Sequence, residues 1–115
     1  MTIEFYGIPN CDTVKKARKW LEAEGIDYTF HDYKKEGADP ARLARWSDEA
    51  GWEKLLNTRG TTFRQLPEAD RSEINRDKAI ALMAGHPSMI KRPVVEHEGG
   101  LLVGFDPSAW SAALG

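Results

Sequence analysis

The chain contains one cysteine, Cys11, in the stretch GIPNCDTVKK at residues 7–16. A lone thiol can be an inert part of the core, or it can act as a nucleophile. A redox pair within the chain is excluded, because Val14 occupies the position where a C-x-x-C motif carries its second thiol. Since no intramolecular disulfide can form, we expect a reduced thiol and a cytoplasmic protein.

The residues around Cys11 favour a reactive thiol. A short run rich in β-forming residues, TIEFYG, precedes it and is followed by a Pro-Asn turn. From Cys11 to Glu24 apolar residues recur every three or four positions, and Gly25 ends the run, as in an amphipathic helix. A sulfur in the first turn of such a helix meets free backbone N–H groups and the positive end of the helix dipole, which favour a thiolate.

The rest of the chain predicts further strands and helices. Residues 26–33, IDYTFHDY, form a second strand, so the first third of the chain is a βαβ unit with parallel strands. The middle is helical, with one helix opening at Asp39-Pro40 and another over Arg76 to Ala84. PVVEHE and LLVGF are strands joined by a hairpin turn at Gly99-Gly100, and Asp106-Pro107 caps a final helix.

This order of elements predicts an α/β protein with a thioredoxin-like fold. We expect a single domain over residues 1–115, with a mixed four-stranded sheet and a helical insertion at about 38–91 between its βαβ and ββα halves. In that fold a cis-proline commonly precedes the third strand and faces the thiol. The Arg92-Pro93 bond is therefore predicted to be cis.

Composition argues against several classes of function. The net charge is -2 and no long basic run appears, which is unlike a nucleic-acid-binding protein. No apolar stretch is long enough for a membrane span, and the first residues do not resemble a signal peptide. His31, His86 and His97 lack metal-ligand spacing, so we expect neither a metal nor a bound cofactor.

Four motifs carry a resemblance along nearly the whole chain: YGIPNCDTVKKARKWLE, LLNTRGTTFRQL, HPSMIKRPVV and VGFDPS. Together they resemble the arsenate reductase-related (ArsC/Spx) family of thioredoxin-like proteins, and within it the YffB branch. In the reductases of that family the first-loop cysteine attacks the oxyanion, which three arginines hold. The resemblance implies that Cys11 is the nucleophile. It also implies that Arg92, beside Pro93, is the arginine of the R-P-V/I-V motif and binds anionic oxygens near the sulfur.

The other two family arginines are altered. In the reductases an arginine follows the Leu-Leu pair, but here Asn57 does, and Arg59 either reaches the site from a shifted loop or lies on the surface. Asp106 replaces the third arginine. It is a good helix N-cap, and near the sulfur its carboxylate would repel an oxyanion, which argues against efficient arsenate reduction.

Three residues near Cys11 are further candidates for substrate binding. Asn10 either caps the helix or orients the substrate. Thr13 donates a hydrogen bond to the sulfur or caps a neighbour. Lys15 is an exposed helix charge or a partner for a glutathione carboxylate.

These features and the resemblance imply a glutathione-dependent thiol–disulfide oxidoreductase. Glutathione, or glutaredoxin, would resolve the mixed disulfide on Cys11, because the chain has no second thiol. The substrate would be a disulfide or a small anionic molecule, and we expect a monomer. The alternatives are a glutathione- and glutaredoxin-dependent arsenate reductase, an Spx-like regulator that binds RNA polymerase, and an idle binding module.

Overall fold

The computed structural model describes residues 3–114, apart from the side chain of Lys34. The chain divides into two compact units. The first contains the described parts of Met1–Glu36 and Arg92–Gly115, and the second is Gly37–Lys91. Within residues 3–114, no helix combines the length and apolar character needed to cross a bilayer.

Among the described elements, two strands lie near the start of the chain and two near its end, and the elements between the second and third strands are all helical. In chain order they are β1 (Ile3–Gly7), α1 (Asp12–Ala23), β2 (Tyr28–Asp32), α2 (Tyr33–Glu36), α3 (Pro40–Ala50), α4 (Trp52–Leu55), α5 (Thr61–Arg64), α6 (Glu68–Arg71), α7 (Arg76–Gly85), a 3-10 turn (Pro87–Met89), β3 (Val94–His97), β4 (Gly100–Val103) and α8 (Pro107–Leu114).

The strands form one mixed sheet in the order β2-β1-β3-β4. β1 and β2 are parallel, and β3 is antiparallel to both of its neighbours. This topology confirms the predicted four-stranded sheet of a thioredoxin-like α/β fold.

One edge of this sheet gathers the segments that carry the chemistry. Gly7 pairs with Asp32, so the parallel strands β1 and β2 end together. Tyr6 pairs with Val94 and Val94 with Val103, so β3 begins and β4 ends at that same edge. The loop after β1, the residues before β3 and the loop after β4 therefore emerge at one edge.

One face of the sheet packs against α1 and α8. Alternation along the strands places Phe5 and Val95 on this face, where they form a core with helix residues. The buried members of that core are Phe5, Val14, Ala17, Leu21, Val95 and Trp110. This packing fixes α1 against the strand that delivers its first residues.

Gly25 ends α1 as predicted. Its φ is 70°, and its N–H donates to the carbonyl of Glu22, while the N–H of Ile26 donates to the carbonyl of Leu21. These two bonds form a Schellman motif, in which a left-handed glycine satisfies the last helical carbonyls.

Several predicted boundaries need correction. The second strand covers Tyr28–Asp32 rather than residues 26–33, because Tyr33 begins α2. The hairpin turn lies one position earlier than predicted. Because His97 pairs with Gly100, the two loop residues are Glu98 and Gly99, and Gly100 opens β4.

The second unit is helical apart from a single bridge. Its buried core includes Leu43 and Trp46 from α3 and Met83 from α7. Asp39 caps α3 as predicted, since its side chain accepts a hydrogen bond from the N–H of Ala41.

Gly7 permits the close approach of β1 and α1. A Cβ atom built on Gly7 would lie 2.9 Å from Cγ2 of the buried Val14. Because Val14 is β-branched and tightly packed, we expect Gly7→Ala to push the start of α1 outwards. The free energy of unfolding should fall by about 1–3 kcal/mol.

Urea unfolding measures this effect, with Gly85→Ala as the matched control. A Cβ on Gly85, at the end of α7, meets nothing within 4 Å. That control should be neutral or slightly stabilising. Equal midpoints for Gly7→Ala and the native chain would contradict the steric argument.

Candidate active site

Cys11 is the N-cap residue of α1. Its backbone is extended, with φ -81° and ψ 127°, and its N–H donates to the carbonyl of Ile8 at 3.2 Å. The carbonyl of Cys11 accepts the first helical hydrogen bond, from Lys15, at 3.0 Å. Helical geometry leaves the next N–H groups without intrahelical acceptors, and no side chain caps them. The half-buried thiol therefore belongs to the residue at the positive end of a twelve-residue helix.

Val14 cannot take part in thiol chemistry. It is fully buried in the core between the sheet and α1, and its methyl groups lie against Gly7. The position that carries the second thiol of a C-x-x-C motif is thus used here for packing. A second thiol for any disulfide chemistry must come from another molecule.

Arg92 and Pro93 lie at the sheet edge where β1 ends. The Arg92-Pro93 peptide bond is cis, which confirms the prediction. Pro93 is buried, and its carbonyl accepts a hydrogen bond from the N–H of Gly104 at 2.8 Å, which ties it to the end of β4. Arg92 is half-buried. The topology thus brings Arg92 and Cys11 to loops at one edge, and direct contact between them stays a prediction.

Asp106 emerges at the same edge, after β4. Its side chain accepts a hydrogen bond from the N–H of Ser108 at 3.1 Å and so caps α8. The residue is exposed. The predicted capping role is confirmed, and a carboxylate stands where the reductases of the resembled family have an arginine.

The candidates beside Cys11 are all exposed. Asn10 precedes the N-cap residue, and Cys11 takes the cap position itself, so the predicted capping of α1 by Asn10 is wrong. Thr13 and Lys15 lie on the solvent side of the first helical turns. Substrate binding by Asn10, Thr13 and Lys15 stays a prediction.

Arg59 belongs to the second unit. It is exposed in the loop between α4 and α5, and its N–H donates to the side-chain oxygen of Asn57. The backbone N–H of Asn57 donates to the carbonyl of Met89, and the backbone N–H of Lys91 donates to the carbonyl of Leu55. These bonds anchor the loop to the segment that precedes Arg92. Whether Arg59 reaches Cys11 stays a prediction.

One cluster of titratable side chains was not predicted from the sequence. His31 contacts Glu4 and Glu36 on the sheet face opposite α1. Residues 4 and 31 are far apart in sequence, and only the β1–β2 register brings them together. Alternation along each strand was the available signal, but it does not give the register. Within the described residues, no three His, Cys, Asp or Glu side chains are arranged to hold a metal ion.

Comparison with known proteins agrees with this geometry. The model of the ArsC family matches residues 6–113. The chain belongs to the ArsC family. A solved structure named YffB is 53% identical and superposes with a TM-score of 0.96, over 98% of this chain and 99% of that chain.

Two further relatives carry different names. An arsenate reductase (ArsC) related protein from Brucella melitensis is 57% identical, with a TM-score of 0.78 over 97% of this chain and 93% of the other. A protein of Lactiplantibacillus plantarum named global transcriptional regulator Spx is 27% identical over 88% of this chain and 77% of its own length.

The helix position of Cys11 in this ArsC-family protein predicts a reactive thiol. We expect iodoacetamide at pH 6.5 to alkylate Cys11 in the native protein about fivefold or more faster than in the urea-unfolded chain, because only the folded helix stabilises the thiolate. Mass spectrometry against time measures both rates at a single site, since the chain has one cysteine. A native rate equal to or below the unfolded rate would contradict this expectation.

Proposed function

We propose that this protein is a cytoplasmic, glutathione-dependent thiol–disulfide oxidoreductase with Cys11 as its single nucleophile. The observation that carries the proposal is the position of Cys11 at the start of α1, with the buried Val14 in place of a resolving thiol. Membership of the ArsC family supports the same nucleophile.

The proposed reaction consists of three thiol–disulfide exchanges. The Cys11 thiolate attacks one sulfur of a disulfide, and the other sulfur leaves as a thiolate, which gives a mixed disulfide on Cys11. A glutathione thiolate then attacks the non-protein sulfur, and Cys11 leaves as a thiolate. This step releases a mixed disulfide between glutathione and the substrate. A second glutathione reduces that mixed disulfide, so two glutathione molecules are oxidised for each substrate disulfide reduced.

The groups around Cys11 have separate roles in this proposal. The helix start stabilises the thiolate both before attack and as the leaving group in resolution. Arg92 provides a cation for an anionic part of the substrate, such as a glutathione carboxylate. Lys15, Asn10 and Thr13 are exposed on the approach to the thiol and are candidates for further contacts.

Formation and resolution of the glutathione adduct test the proposal. We expect glutathione disulfide to add one glutathione to the native protein and none to Cys11→Ser, and glutathione with glutaredoxin to remove it. The readouts are intact mass and NADPH consumption in a coupled assay with glutathione reductase. A native chain that never takes up glutathione would overturn the proposal.

Arg92 should affect the rate at which the glutathione adduct forms on Cys11. Losing one charge-assisted contact to the substrate predicts that Arg92→Gln slows adduct formation about tenfold. Arg64→Gln is the matched control, since Arg64 is exposed on α5 of the second unit, and it should keep the native rate. Equal slowing in both variants would mean that Arg92 has no special role.

Arsenate reduction is a second candidate, favoured by the relative from Brucella melitensis whose name calls it arsenate reductase-related. The same thiolate would attack the arsenic atom and displace one arsenate oxygen as water. Two glutathione molecules would then supply two electrons, so that arsenite leaves, Cys11 is regenerated and the two glutathione molecules become glutathione disulfide. Asp106 opposes this reaction, because its carboxylate replaces an arginine expected to hold the oxyanion. The similarity to a protein named as a transcriptional regulator leaves a regulatory role as a further alternative.

Substitutions at Asp106 distinguish the two reactions. We expect little arsenate-dependent NADPH consumption from the native protein and about tenfold more from Asp106→Arg, because a repulsive charge becomes an attractive one. Asp106→Asn keeps a capping oxygen for Ser108 and removes only the charge, so it should give a smaller gain. Efficient Cys11-dependent turnover of arsenate by the native protein would favour the reductase instead.

A further inference from the structure

His31 lies between two carboxylates on the sheet face that α1 does not cover. Its Nε2 is 2.5 Å from Oε2 of Glu4 on β1, and its Nδ1 is 2.9 Å from Oε1 of Glu36 on α2. The side chains of His31, Glu4 and Glu36 are 23%, 36% and 47% exposed. The cluster is therefore accessible to protons from solvent.

With Glu4 and Glu36 ionised, both contacts need a protonated ring. A neutral imidazole has one N–H and one lone pair, so it can donate to one carboxylate only and must face the other with its lone pair. An imidazolium donates from both nitrogens. The two distances are those expected for an imidazolium at His31 between two carboxylates.

Glu36 extends the cluster to the backbone. Its second oxygen, Oε2, accepts a hydrogen bond from the N–H of Asp32 at 3.2 Å. Glu36 is the last residue of the short helix α2, and the chain then enters the second unit at Gly37, where φ is 75°. One carboxylate thus links the imidazole ring, the end of β2 and the residue at which the chain leaves the first unit.

We propose that His31, Glu4 and Glu36 form a proton-controlled latch, which holds the corner between β2 and α2 when His31 is charged and releases it when His31 is neutral. When the His31 ring is deprotonated, one carboxylate loses its hydrogen-bond donor and instead faces the lone pair of a ring nitrogen. The contact with Glu36 is the more exposed of the two and is the one that closes the corner.

The surroundings of His31 favour the charged ring. The Tyr6 ring stacks on His31, with centroids 4.6 Å apart and planes 16° apart, and so offers its π face to the imidazolium. The Tyr6 hydroxyl donates to Glu96 on β3, which is the cross-strand neighbour of Glu4. The acidic groups facing this cluster therefore come from β1, α2 and β3. On α2, Tyr33 stacks on Tyr6 with centroids 6.3 Å apart.

The pKa of His31 has the direction that this latch requires. Partial burial alone would lower the pKa, but the hydrogen bonds and charges of Glu36 and Glu4 outweigh that effect and raise it above the ordinary value of 6.5. A raised pKa means that the stabilisation is complete below pH 6.5 and is lost as the pH rises through the folded-state value. The latch is thus closed under mildly acidic conditions and opens on the alkaline side.

Amide hydrogen exchange between about pH 6.0 and 8.5 tests the latch, with rates divided by those of an unstructured chain at each pH. In the native protein we expect the protection of the Asp32 and α2 amides to fall about fivefold or more over this range, in step with the titration of the His31 ring nitrogens in NMR spectra. His31→Gln should show low protection at both ends and no such fall.

Two further variants test whether the pH response depends on His31 and its contacts. His86→Gln removes an exposed histidine of the second unit and should keep the full native response. Glu36→Gln retains an acceptor for the Asp32 N–H and should weaken the pH dependence without abolishing protection. Cys11 is present in every variant, so any effect of the thiol is common to all of them. Native protection that stays constant across the range would overturn the proposal, as would a full native fall in His31→Gln.

Discussion

The close packing of Gly7 against Val14 is the contact on which the rest of the candidate site depends. It allows α1 to begin with only four residues between it and β1 and to lie against the sheet, with Val14, Ala17 and Leu21 in the core. Because the helix start is fixed by this contact, the residue at its N-cap is fixed as well, and that residue is Cys11. A methyl group at Gly7 would compete for the space of a buried, β-branched side chain. The position of the thiol therefore depends on how the core is packed.

In the proposed function, the site combines the nucleophile Cys11 with charges that differ from those the family resemblance implies. The helix start acts on Cys11 through the backbone, so it does not depend on which side chains surround the loop. Selection of a substrate would depend on side chains. Two residues differ from the arginines that the resemblance to the reductases implies: Asn57 follows the Leu-Leu pair, and Asp106 precedes Pro107. Side-chain changes can therefore alter the substrate while the thiol chemistry stays the same. This separation fits a family whose members carry names as different as arsenate reductase-related protein and transcriptional regulator.

The two faces of β1 serve different purposes. Phe5 points into the apolar core beneath α1, while Glu4 and Tyr6 face the other side, where they meet His31 and Glu96. A strand with one apolar and one polar face follows from the two-residue period of extended chain. The polar face holds several carboxylates around one imidazole, so its stability depends on protons, whereas that of the apolar face does not.

The sequence alone determined the local features of this protein. The period of apolar residues gave α1, Gly25 gave its end, Asp39 and Asp106 gave two helix caps, and the motifs around Cys11 and Pro93 indicated the family, because each of these signals lies within a few neighbouring residues. The tertiary structure alone decided the register of the paired strands, and hence that His31 meets Glu4 and Glu36. It also decided that Cys11, rather than Asn10, occupies the N-cap position of α1, since the residue at which the helix begins depends on how the turn after β1 is built. Contacts between distant residues follow from packing and strand register, which no local pattern in the chain specifies.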